Sequence, residues 1–136
     1  MSSNEKNGLD IQRIRNYWIE EASEALQVAW HLYEKKDYSY SLFFGHLALE
    51  KLLKAIYIIK KGEHAPYIHN LQRLAELSGI DLSDRRRDDL IKITTFNLES
   101  RYPDEERSFR KKCTNEFTKK ELDQIEDVFR WLRSTM

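Results

Sequence analysis

The sequence holds one cysteine, two prolines and four glycines in 136 residues, and neither sign of charge is in excess, Lys+Arg and Asp+Glu numbering 23 each. With Cys113 alone, no intramolecular disulfide and no multi-cysteine zinc site can form, which fits a reducing compartment; Cys113 reads as a buried or inert thiol. So little glycine and proline leaves little material for tight hairpins, and a charged share of 34% points instead to solvated helix surfaces. Balanced charge excludes a global field that would draw in nucleic acid or an anionic membrane, so any anion site must be local. No apolar run approaches the ~20 residues a membrane span needs. The most apolar stretch, Leu47 to Ile59, is interrupted by Glu50, Lys51 and Lys54. Residues Met1 to Gly8 are polar and carry no basic flank, apolar segment or small-residue cleavage site. These features predict a cytoplasmic protein with a flexible tail over residues 1–9 and a single helical domain over 10–136.

What the sequence does contain is helical periodicity. From Asp10 to about Lys36, Ile11, Ile14, Trp18, Ile19, Ala22, Ala25, Leu26 and Ala29 recur at three- and four-residue steps, one long amphipathic helix. Asp37 supplies a break and a cap for a second helix over Tyr38 to Lys61, which Gly62 ends. Two long helices joined so tightly should run antiparallel. After a loop containing Pro66, Asn70 caps a short helix that stops at Gly79. Ser83 or Asp84 starts a fourth helix that runs to about Tyr102, where Pro103 disfavours continuation. Residues 103–117 lack clean periodicity and read as an irregular excursion anchored by Phe109 and Phe117. Thr118 with Glu121 fits a capping box for the last helix. The expected fold is all-α, an antiparallel up-and-down bundle of about five helices.

Two constellations could carry chemistry. On the second helix, the apolar arc Leu42, Leu49, Leu52, Leu53, Ile56 and Ile59 leaves a separate stripe in which His46, Glu50 and Lys54 stand at i, i+4 and i+8, flanked by Phe43 and Tyr57. Spacing alone favours a solvated Glu50–Lys54 pair worth only ~0.3–0.5 kcal/mol. A row of imidazole, carboxylate, ammonium and aromatics also suits a pocket or a subunit contact. The second constellation is Leu98 to Glu105, LESRYPDE. Here Arg101 is a fork suited to carboxylate or phosphate, and Asp104 can satisfy turn donors or pair with Arg101. One reading is a structural corner on which Tyr102 packs; the other is an anion site faced by Arg101.

Other clusters are weaker. His64 and His69 bracket Pro66 without a cysteine or carboxylate cluster beside them, so no metal is expected. Arg85, Arg86 and Arg87 are surrounded by Asp81, Asp84, Asp88 and Asp89 and read as a solvated helix start. Arg107, Arg110, Lys111 and Lys112 follow directly on Asp104, Glu105 and Glu106, which blunt their field.

Taken as a set and in this order, GHLALEKLLKA at residues 45–55, the His69-containing loop before a short Leu-rich helix, and LESRYPDE at 98–105 resemble the HEPN family of prokaryotes, over roughly residues 10–135. The resemblance implies an antiparallel helical bundle around a long helical pair, often a homodimer, commonly encoded beside a minimal nucleotidyltransferase in a toxin–antitoxin-like module. Some members are metal-independent ribonucleases marked by Arg followed after four to six residues by His. No Arg stands at that spacing before His31, His46, His64 or His69. The resemblance therefore implies the other behaviour, a non-catalytic nucleotide- or anion-binding accessory partner of the nucleotidyltransferase, with a ribonuclease toxin acting on RNA as the alternative. No cofactor is implied. The residues it carries over are His46, Glu50, Lys51, Lys54 and His69, with Arg101, Tyr102 and Asp104; Lys54 and Arg101 are expected to converge on one anion.

Overall fold

The three-residue link 35–37 forces the first two helices side by side, and their mutual packing is the most extensive in the molecule. In the computed structural model, which describes residues 2–136 with side chains from Asp10 onward, these are α1 (Ser2–Glu34) and α2 (Tyr38–Lys61). Of the tail expected over residues 1–9, residues 2–9 fall within the bounds of α1, and their side chains lie outside the described residues. Ala22, Ala25 and Ala29 are buried on α1, and side chains this small let the two axes approach closely. Ser41 of α2 donates across the pair to the Ala29 carbonyl at 2.7 Å. Lys36 makes the connection with a left-handed φ of 67°. Asp37 sits at the N-cap as expected but its side chain makes no capping hydrogen bond. Gly62 ends α2 with φ 68° and returns its N–H to the Ile58 carbonyl.

α2 is the centre of the molecule. It is flanked by α1, α6 (Asn115–Ser134) and α3 (Leu71–Leu77), and for this reason its buried residues run almost all the way round. The expected apolar arc is buried except at Ile59, which is exposed; Ile58 takes the inward place. On α6 the predicted face of Leu122, Ile125, Val128, Phe129 and Leu132 is buried. Asn70 caps α3 by accepting from the Arg73 N–H, and Ser83 caps α4 (Asp84–Thr94) by accepting from the Arg86 N–H.

Three expectations along the second half of the chain are corrected. The fourth helix does not reach Tyr102. It ends at Thr94, and Asn97 starts a separate 3-10 turn over Leu98–Ser100 by accepting from the Glu99 N–H. Residues 103–117 are not irregular, because Pro103–Lys112 form a helix, α5. Its first turn holds Pro103, Asp104, Glu105 and Glu106 and its last Arg110, Lys111 and Lys112, an order that complements the helix dipole at both ends. Finally, α6 is capped by Thr114, which accepts from the Phe117 N–H. Thr118 and Glu121 lie buried inside that helix and form no capping box. The described residues thus hold six α-helices, one more than expected, and no strand. Among them, no helix is long and apolar enough to cross a membrane.

Candidate functional sites on the second helix and at the Arg-Tyr-Pro-Asp corner

The stripe on α2 does not face solvent. Glu50 is 5% exposed and Lys54 7%, so the solvated ion pair favoured by spacing is corrected to a buried one. The cover comes from elsewhere in the chain. Trp18 of α1 and Tyr67 of the loop 62–70 place their rings 5.3 and 5.6 Å from the Lys54 ammonium. With water displaced, the lysine is held by two aromatic faces and one carboxylate.

Glu50 joins three other side chains of this network. Its Oε2 accepts from Lys54 Nζ at 3.1 Å and its Oε1 accepts from His69 Nδ1 at 2.9 Å. His46 Nε2 lies 3.9 Å from the same Oε1. Because a carboxylate only accepts, the proton of His69 is assigned to Nδ1, which leaves Nε2 as the outward-facing nitrogen of a side chain 45% exposed. His46 is fully buried and its Nε2–H donates to the His69 carbonyl at 3.2 Å, while its Nδ1 has no partner. Burial holds the His46 imidazole below its usual range, with the Glu50 charge opposing. Two histidines with neighbouring bonds therefore differ in role: His46 is a sealed strut, and His69 presents an oriented imidazole.

Lys51 belongs to neither arrangement. It stands beside Glu50 in sequence but pairs with Glu21 of α1 at 3.0 Å.

The corner 98–105 borders a cleft of about 440 Å³ lined by Lys92 and Thr95 of the α4 end, Arg101, and Asp104, Glu105 and Ser108 of α5, with Phe96, Phe109 and Phe117 behind. Arg101 donates from Nε to the Thr95 carbonyl at 2.8 Å, bonds it through Nη2 as well, and stacks 4.3 Å over the Phe109 ring. Carbonyls and rings hold a guanidinium without neutralising it, so its charge remains available in the cleft. Lys112 stands 5.2 Å over the Phe117 ring, and neither cation has a carboxylate within ion-pairing distance among the described residues. Lys92 differs: it sits 2.8 Å from buried Glu121, close enough to pair although the angle makes no hydrogen bond. Asp104 lines the cleft without pairing to Arg101, and Tyr102, which packs in one of the two readings of the corner, is 74% exposed.

The structure therefore gathers His46, Glu50, Lys54 and His69 at one place and Arg101 and Asp104 at another. Lys54 and Arg101 do not converge, because each is committed to its own partners. Glu99 of the 3-10 turn is near enough to act on His46 through its charge. Sequence reasoning missed Trp18 and Tyr67 as the cover of Lys54, and Lys92 as a wall of the cleft. No local pattern marks them. Of the other clusters, Arg86 is not simply solvated: it pairs with Asp127 at 2.9 Å and stacks on Trp131 at 4.7 Å. His64 is exposed, and no group of three metal-binding side chains occurs among the described residues.

Comparison with known proteins follows the fold. A sequence model of the HEPN domain matches residues 16–135. No curated protein matches the sequence significantly. The crystal structure of TT1696 from Thermus thermophilus superposes with a TM-score of 0.75, covering 90% of this chain and 98% of that one at 18% identity; at that identity the likeness is one of fold. With an all-helical bundle and a family model that matches residues 16–135, the chain belongs to the HEPN domain family.

Proposed function

We propose that the chain is a non-catalytic HEPN module that binds a phosphate-bearing anion of the nucleotide class in the cleft at Arg101, as the accessory partner of a minimal nucleotidyltransferase. The observation that carries this reading is the pair Arg101 and Lys112, two cations held on aromatic rings in one open cleft with no carboxylate partner among the described residues. Charge-assisted bonds from such groups are the strong contacts of phosphate recognition. Family resemblance suggests the nucleotidyltransferase partner, a homodimeric assembly and a cytoplasmic setting. The absence of the Arg–His spacing of the ribonucleases and the sealing of His46 argue against catalysis.

Thermal denaturation with and without AMP, ATP, GTP and short RNA tests the reading, because a ligand of the folded state raises the melting temperature. A saturable rise that disappears in Lys112→Ala supports it. No rise with any of them removes the binding role.

One observation favours a second reading. A buried carboxylate fixing Nδ1–H of His69 and leaving Nε2 outward is the arrangement of an oriented general base. On this reading His69 serves a metal-independent ribonuclease. RNA cleavage by the purified protein that is lost in His69→Ala would establish it, and absence of cleavage by the parent protein would end it.

A further inference from the structure

Three rings back the cleft at the corner, two of them, Phe96 and Phe109, buried and the third, Phe117, partly so. Phe109 is covered by the Arg101 guanidinium and Phe117 by the Lys112 ammonium. Phe96 is buried between the other two, its centroid 5.6 Å from Phe109 and 6.5 Å from Phe117. A nucleobase gains affinity and selectivity chiefly by stacking on a free aromatic face or by pairing its edge with fixed donors and acceptors. Of the rings that line the cleft, two seat cations and Phe96 is buried, and the exposed Tyr102 is not among the lining residues. Arg101 also donates from Nη1 to the Glu105 carbonyl at 3.5 Å, so what it offers the cleft is its unneutralised charge and the guanidinium hydrogens those bonds leave over, together with Lys112 and Ser108 of the lining, a set suited to phosphate oxygens.

The charges of the lining set a second condition. Three cations, Lys92, Arg101 and Lys112, face two carboxylates, Asp104 and Glu105. Lys92 is drawn back by Glu121. The positive end of the α5 dipole is answered by the helix's own Asp104, Glu105 and Glu106, so it adds little attraction for a further anion. A ligand with three linked phosphates would bring more negative charge into a cleft that already holds those two carboxylates than one phosphate does.

Resting on the anion-binding reading of this cleft, we propose that its ligand is a singly phosphorylated small molecule recognised through the phosphate, with no selection among bases and no preference for a triphosphate. Titration calorimetry at fixed ionic strength with AMP, GMP, ribose 5-phosphate, adenosine and ATP tests this. AMP, GMP and ribose 5-phosphate should bind within about threefold of one another, ATP no tighter than AMP and adenosine not at all, because no stacking or base-edge contact contributes. Lys112→Ala should weaken AMP about tenfold, and Glu105→Gln should improve ATP relative to AMP. Binding of ATP, or of one nucleotide over the other, tighter by about tenfold would overturn the selectivity and leave the anion-binding reading standing. Binding of adenosine would also overturn it. Failure of every ligand would remove the anion-binding reading itself, and this inference with it.

Discussion

His69 Nδ1 stands 2.9 Å from Glu50 Oε1, and the opposite oxygen of the same carboxylate holds Lys54 at 3.1 Å. One buried charge thus fastens the loop 62–70 to α2 and neutralises a lysine that would otherwise be stranded beneath Trp18 and Tyr67. Removing one partner of a buried pair leaves the other uncompensated, so Glu50→Ala should cost about 3–5 kcal/mol of folding stability. The double change Glu50→Leu with Lys54→Met removes both charges and should recover most of that loss. Urea denaturation of the two variants decides the matter. Equal destabilisation of both would show that the carboxylate holds the fold through His69 alone.

His46 predicts a pH dependence whose sign follows from its burial. Its folded-state pKa lies below 6.5, so between that value and 6.5 the unfolded chain binds more protons, and stability is full above about pH 6.5 and declines as pH falls towards the folded pKa. Protonation would place a charge on a ring whose Nδ1 has no partner. Asp89, raised above 3.8 by burial, acts in the opposite sense at lower pH, and a difference measurement separates the two. His46→Gln, whose amide can still donate to the His69 carbonyl, should flatten the decline in ΔG between pH 6.5 and 5 relative to the parent. An unchanged slope would assign the decline to another group.

Gly45 of α2 packs directly against Ile125 of α6. A Cβ built there would lie 2.7 Å from Cδ1 and 3.4 Å from Cγ2 of Ile125, which is fully buried. Overpacking costs about 1–3 kcal/mol, while alanine in place of a helical glycine returns up to ~1 kcal/mol. Gly45→Ala should therefore destabilise by about 1 kcal/mol net. Adding Ile125→Val deletes the clashing Cδ1 and should bring the double variant above the single one. If the order is reversed, the helices yield rather than the isoleucine.

How much of this could be read from the sequence depended on the range of the signal. α2 was legible from end to end because Asp37 and Gly62 bracket it and its apolar spacing is local. α5 was not, since Phe109 is its one buried residue and its helical signature is a gradient of charge from Asp104 to Lys112. The early end of α4 rests on Asn97 bonding two residues ahead, a turn that a run of apolar residues through Phe96 and Leu98 conceals. At the sites, the row His46, Glu50 and Lys54 was visible, but its burial depends on Trp18 and Tyr67, which only the folded chain delivers. Arg101 and Asp104 were likewise legible as a pair of residues, while the cleft they border needs Lys92 from α4 and Lys112 from the far end of α5.

Cys113 offers a check on the packing of the α5–α6 junction. Burial pushes its thiol up to about 11, against a small opposing pull from Arg101 and Lys112. The thiolate is the reactive form, so at pH 8 the native protein should resist labelling by iodoacetamide and react fully once unfolded in urea. Rapid labelling of the folded protein would mean that this junction opens.

Arg101→Lys separates the two jobs of the corner. The guanidinium bonds the Thr95 carbonyl through two nitrogens and the Glu105 carbonyl through the third, and stands 4.3 Å over Phe109; an ammonium cannot reproduce the fork. Losing one such set of partly exposed bonds should cost about 1 kcal/mol, seen as a lower urea midpoint, even though the charge is retained. Lys112 has no hydrogen-bonded or ion-paired partner among the described residues and is exposed, so Lys112→Ala should stay within about 0.5 kcal/mol of the parent. Phosphate affinity should fall in both. If Arg101→Lys keeps full stability and loses only affinity, Arg101 belongs to the ligand alone; if it loses stability and keeps affinity, the corner is architecture and the anion rests on Lys112.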